Sequence, residues 1–112
     1  MLTDKEMLII AKKFIRRIVD ESIEPIILLE EIIKKNYGNI YRYQSKEFLL
    51  TRDFNKALGG NAPFLVEKET GRVVTFASAM SLENNINAYE NGTMRKSLDL
   101  YWYPDEDRFD YK

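Results

Sequence analysis

Two apolar runs, Phe64-Leu65-Val66-Glu67 and Val73-Val74-Thr75-Phe76, flank the short polar segment Lys68-Glu69-Thr70-Gly71. Gly71 can take the left-handed conformation that closes a β-hairpin with a bulge, where a residue bearing a Cβ would be strained. The runs are therefore read as antiparallel strands around that turn. Pro63 opens the first of these strands as its first residue, a place where a missing N–H is tolerated, and Gly59-Gly60-Asn61 breaks the chain before it.

Helices flank this unit. Thr3 is followed by Glu6 at capping-box spacing, with Leu2 and Met7 at staple positions, so a helix is expected over about residues 4–20. Leu8, Ala11, Ile15 and Ile18, widened by Phe14 and Val19, recur at helical spacing; Lys12, Lys13, Arg16 and Arg17 share the opposite face. Pro25 keeps Glu24 out of helical geometry, so the helix ends before it. Ser81 caps another helix, in which Leu82, Ile86 and Tyr89 fall on one side and which stops at Asn91-Gly92.

Between these elements the pattern is ambiguous. The doublets of Ile26-Ile27-Leu28-Leu29-Glu30-Glu31-Ile32-Ile33-Lys34-Lys35 fit a helix slightly better than strict alternation. Against that stand the density of β-branched residues and the Tyr37-Gly38-Asn39 turn leading into the alternating Ile40, Tyr41, Arg42 and Tyr43. The end of the chain, residues 93–112, changes character. Leu100, Tyr101, Trp102 and Tyr103 precede Pro104-Asp105-Glu106-Asp107, which reads either as a final strand with a solvated end or as a partner-binding tail. No internal repeat or low-complexity tract is visible.

With 112 residues the chain suits one domain, burying roughly 65% of its unfolded surface and needing no covalent staples. It contains neither Cys nor His, which excludes disulfides, the usual zinc sites, Cys nucleophiles and His general bases. Its 17 basic and 18 acidic residues leave a formal charge of −1, so no global field attracts nucleic acid. The N-terminus lacks a secretory pattern, and the longest uncharged apolar run, Pro25 to Leu29, is too short to cross a bilayer. A cytoplasmic protein without membrane or nucleic-acid partners is expected.

The series Tyr37-Gly38, Tyr43-Gln44-Ser45-Lys46-Glu47-Phe48-Leu49, Gly60-Asn61-Ala62-Pro63-Phe64-Leu65-Val66, Thr70-Gly71 and Leu82 to Tyr89-Glu90 resembles the Immunity protein 35 family, antitoxin partners of bacterial polymorphic toxins. The resemblance runs over about residues 25–90. Its most specific element is the Gly-Asn-Ala-Pro block set before a hairpin with a glycine turn. Asn39 stands where the family usually has an aromatic residue, and the segment after Gly92 lies outside the pattern. The resemblance implies an α+β fold in which Ile26 to Ile33 is a strand, and with it an antiparallel β-sheet with an N-terminal helix and a C-terminal helix packed on one face.

Carboxylates are the plausible acid/base groups. Glu30-Glu31, Glu67/Glu69 and Asp105-Glu106-Asp107 are the clusters on offer, and solvated charge is the simpler account of each. Asp105-Glu106-Asp107 lacks the glycine and distal Glu of a calcium loop. Ser45 and Lys46, as neighbours on a strand, would face apart, and capping explains the pair more cheaply than nucleophilic chemistry. Gly59-Gly60-Asn61 has no P-loop Lys after it, and Tyr41, Tyr43 and Trp102 read as core or interface aromatics before they read as a base-stacking platform. The expectation is a non-enzymatic binding protein without cofactor or metal, a monomer or weak homodimer. The resemblance implies that it neutralises a cognate toxin by stoichiometric contact. The expected contact residues are Trp102, Tyr103, Asp105, Glu106, Asp107 and Asp110, with Trp102 in the core and the tail frayed as the competing reading. A chaperone-like or general protein-interaction module is the alternative, and a carboxylate-dependent hydrolase a remote third.

Overall fold

The computed structural model describes residues 1–57 and 62–112. Helix α1 (Asp4–Ile18) leads into strand β1 (Pro25–Ile27), a 3-10 turn (Leu29–Glu31), β2 (Ile33–Lys35), β3 (Gly38–Tyr41) and β4 (Tyr43–Ser45). After these come helix α2 (Lys46–Thr51), a second 3-10 turn (Phe54–Lys56), β5 (Phe64–Glu67), β6 (Val73–Thr75), α3 (Leu82–Asn91), β7 (Tyr101–Tyr103) and β8 (Arg108–Asp110). Six strands form an antiparallel sheet in the order β2-β3-β5-β6-β7-β8, and β1 pairs with β4 apart from it. The fold is α+β with antiparallel sheets.

Local chemistry accounts for the secure elements. Thr3 and Glu6 form both halves of the capping box, and Arg16 takes over the other end of α1 by donating to the carbonyls of Val19, Asp20 and Ile23. The helix thus stops well ahead of Pro25. In the hairpin, Phe64, Leu65 and Val66 pair with Thr75, Val74 and Val73, and Gly71 has φ +78°. A Cβ on Gly71 would lie 2.8 Å from Ile10 Cδ1, because this turn is tucked under α1. Ser81 caps α3 at Asn84 N, and Gly92 closes it at φ +68°.

Strand alternation divides the core in two. Phe64, Val66, Val73, Tyr41 and Trp102 point to the side covered by Met7, Ala11, Phe14 and Ile15 of α1; Phe14 lies 4.7 Å from the Phe64 ring and 5.7 Å from Trp102. Leu65, Ile40, Val74 and Leu100 point the other way, against Leu82, Ile86 and Tyr89 of α3. The expected placement of both terminal helices on one face is therefore corrected: they cover opposite faces. The physical reason is that β3, β5 and β6 are apolar on both sides and demand two covers.

Two further expectations change, and one open alternative closes. Ile26 to Ile33 is not one strand but two, β1 and β2, separated by the Leu29–Glu31 turn. Ile27 buries on the α1 side and Ile33 on the α3 side, whereas a straight strand would put residues six apart on the same face. The 3-10 turn makes that switch. Ser45 and Lys46 are not strand neighbours either, since Ser45 ends β4 and caps α2 through Phe48 N at 3.0 Å. Of the two readings of the C-terminal segment, the strand holds and the tail does not: β7 and β8 form a hairpin that completes the sheet. The break expected at Gly59-Gly60-Asn61, and with it part of the Gly-Asn-Ala-Pro block, lies outside the described residues.

Candidate functional site

The β5–β6 turn organises the α3 face. Alternation along β5 sends Glu67 to the same side as Leu65, and the hairpin register sets Arg72 beside it. Arg72 Nε and Nη2 donate to the two Glu67 carboxylate oxygens at 2.7 and 2.9 Å, a bidentate pair, while its guanidinium carbon sits 3.8 Å from the centroid of the Tyr101 ring. Tyr89 of α3 donates its hydroxyl to Glu67 Oε2 at 2.5 Å. Its ring lies 5.0 Å from Tyr37, whose hydroxyl donates to Glu90 at 2.6 Å, with Lys35 Nζ 3.7 Å from the same carboxylate. Burial first, and then the carboxylate each hydroxyl serves, push the Tyr37 and Tyr89 phenols well above their usual range. The Glu67 bond, working against burial, likewise raises the guanidinium of Arg72. The tyrosines stay protonated donors and the arginine stays charged.

Between this network and the β7–β8 turn lies a solvent-open cleft of about 560 Å³. Tyr37, Tyr89 and Tyr103 line it, and Glu69, Asp105 and Glu106 bring carboxylates to it. Glu106 is engaged by Arg108 at 3.1 Å, whereas the carboxylates of Glu69 and Asp105 have no ion-pair or hydrogen-bond partner among the described residues. Aromatic walls with unpaired carboxylates suit a cationic side chain, which would gain cation–π contact and charge-assisted hydrogen bonds together. Among the described residues no three acidic side chains converge as a metal cage, and no helix is long and apolar enough to cross a membrane.

The six residues expected to contact a partner divide. Tyr103, Asp105 and Glu106 line the cleft. Trp102 does not: it is 4% exposed in the α1 core, its Nε1 donating to Asp107 at 2.9 Å, so the core reading of Trp102 holds. Asp107 also accepts from Arg17 at 2.9 Å; the Trp102 bond first, then Arg17, hold its carboxyl below the usual range. It adopts φ +44° and closes the β7–β8 turn as a structural acid. Asp110 pairs with Arg108 at 2.5 Å along the edge strand β8.

The sequence reading missed Arg72 as the partner of Glu67, although the hairpin register already places Glu67 opposite it. It missed Tyr37 with Tyr89 and Glu90 for a different reason. Those residues are 52 and 53 positions apart and nothing local links them.

Comparison with known proteins is sparse. A 53-residue stretch is 36% identical to YrhB, an uncharacterized protein of Escherichia coli (strain K12), covering 47% of this chain and 56% of that protein. The matched stretch thus spans little more than half the length of YrhB. No protein-family profile and no solved structure matches the chain.

Proposed function

We propose that this chain is an immunity protein that binds a cognate bacterial toxin in the cytoplasm and neutralises it by stoichiometric contact, without turnover. The contact surface is the cleft, with Tyr103, Asp105, Glu106 and Glu69 meeting a cationic patch on the toxin. One observation carries the reading. Residues scattered through the immunity-family resemblance, namely Tyr37, Thr70 and Tyr89, line the cleft in which unpaired carboxylates stand beside aromatic rings, and Glu90 holds the Tyr37 hydroxyl. Tyrosines already ordered by hydrogen bonds offer contact area at little entropic cost, and carboxylates steer encounter with a basic partner.

Co-expression with the toxin encoded beside this gene tests it. Growth should be rescued at roughly equimolar supply. Reversal of Glu69, Asp105 and Glu106 to Lys should abolish rescue and slow association while the circular dichroism spectrum is unchanged. Failure of the wild-type chain to bind or protect against any neighbouring toxin overturns the reading in favour of a chaperone-like interaction module.

A further inference from the structure

The other face of the molecule carries a second surface that the cleft does not explain. Lys12 and Arg16 of α1 form a ridge with an apolar groove on each side. One groove, about 690 Å³, is lined by Ile9, Pro104 and the edge of Trp102; the other, about 370 Å³, by Leu8, Ile15, Ile26 and Leu29. Ile9 is 47% exposed and Leu29 62%, so substantial apolar surface faces water beside the ridge.

The charge that α1 itself brings to this face is one-sided, and the two acids bordering the grooves, Asp107 and Glu24, are already paired with Arg17 and Lys46. From Met7 to Ile18 the helix holds Lys12, Lys13, Arg16 and Arg17 and no acid, in a chain whose formal charge is −1. Arg17 is taken by Asp107, and Arg16 by backbone carbonyls. The ammonium groups of Lys12 and Lys13 have no partner among the described residues. Like charges at adjacent turns of a helix destabilise it, so the arrangement is relieved when something acidic is laid on it.

We infer that this face docks an acidic amphipathic segment of a partner protein, its apolar side chains entering the two grooves and its carboxylates meeting Lys12 and Lys13. Two apolar floors astride a cationic ridge match the alternating apolar and acidic rows of such a segment. A nucleic-acid backbone would satisfy the ridge and leave both floors wet. A flat anionic bilayer would meet the cations but leave the narrower groove beside Ile26 and Leu29 unfilled.

The probe is a synthetic helix-forming peptide of about four turns, with a central row of Glu flanked on each side by a row of Leu. Its controls are a scrambled isomer, a Lys-for-Glu version, a single-stranded oligonucleotide, and vesicles of phosphatidylcholine with phosphatidylserine. Trp102, the chain's one tryptophan, borders a groove and reports occupancy through its emission. Saturable binding of the acidic peptide is expected, weakened about tenfold by Ile9→Ser and by Lys12→Glu with Lys13→Glu, and weakened by salt. These side chains are exposed, so thermal unfolding should be unmoved, and both variants should still protect against a toxin bound at the cleft. Equal binding of the scrambled isomer, tighter binding of oligonucleotide or vesicles, or no peptide binding overturns the inference.

Discussion

Gly38 shows how one residue can be required by a contact rather than by a turn. A Cβ there would lie 2.1 Å from the carbonyl oxygen of Val66, a backbone atom of the neighbouring strand that has nowhere to move. Gly38→Ala should therefore cost about 2 kcal/mol or more, read as a fall in the urea midpoint with the slope unchanged. Trp102 is the opposite case, a large side chain enclosed by Phe14 and Phe109 and fastened to Asp107. Trp102→Ala should remove about 3–5 kcal/mol, a large part of the stability of an ordinary domain, and Trp102→Phe much less. A Trp102→Ala variant that unfolds at the wild-type midpoint would show that the residue is not in the core. Tyrosines on both sides and acids just downstream made this residue look like an exposed anchor in the sequence. Its burial depends on α1, more than eighty residues away.

Helices and turns were legible to the extent that their chemistry is local. Thr3 with Glu6, Ser81 with Gly92, and Gly71 each act within a few residues, and each element they delimit lies where it was expected. Asn85 was not legible. It is buried in α3, where its amide accepts from Ala77 N at 2.9 Å and donates to Ala77 O at 2.9 Å and Ser81 O at 3.0 Å, stapling the β6–α3 loop to the helix. Ser81→Ala should cost about 1 kcal/mol, whereas Asn85→Ala, which strands several buried backbone groups, should cost about 2–3 kcal/mol. Thermal melts of the two variants check the order, and a larger loss at Ser81 would contradict it. The Ile26 to Ile33 segment was misread because its apolar doublets encode a change of face between two strands, a demand imposed by the layers around it and invisible to periodicity.

At the scale of the whole molecule, stability should narrow at both ends of the pH range. Asp4 and Asp107 are held below their usual range by hydrogen bonds, Asp4 from Lys34 first and then Asn39, Asp107 from Trp102 and then Arg17. Their contribution is complete above the unfolded carboxyl value of about 3.9 and is lost as pH falls through the folded values. Tyr37 and Tyr89 are raised by burial and by Glu90 and Glu67, so theirs is complete below about pH 10 and declines as pH rises from there toward the folded values. Urea unfolding across pH should show both limbs, and Tyr89→Phe should flatten the alkaline one; an unchanged alkaline slope would remove Tyr89 from that account. By itself the sequence determined the antiparallel hairpin, the two long helices, and the absence of thiol and imidazole chemistry, because turn geometry, capping and composition are properties of neighbouring residues or of none. Only the tertiary structure decided that α1 and α3 cover opposite faces, that Trp102 is interior, and that Tyr37, Glu67, Arg72 and Tyr89 share one cleft. Each of those depends on which strands pair and on what must then be kept from water, and no stretch of chain carries that information alone.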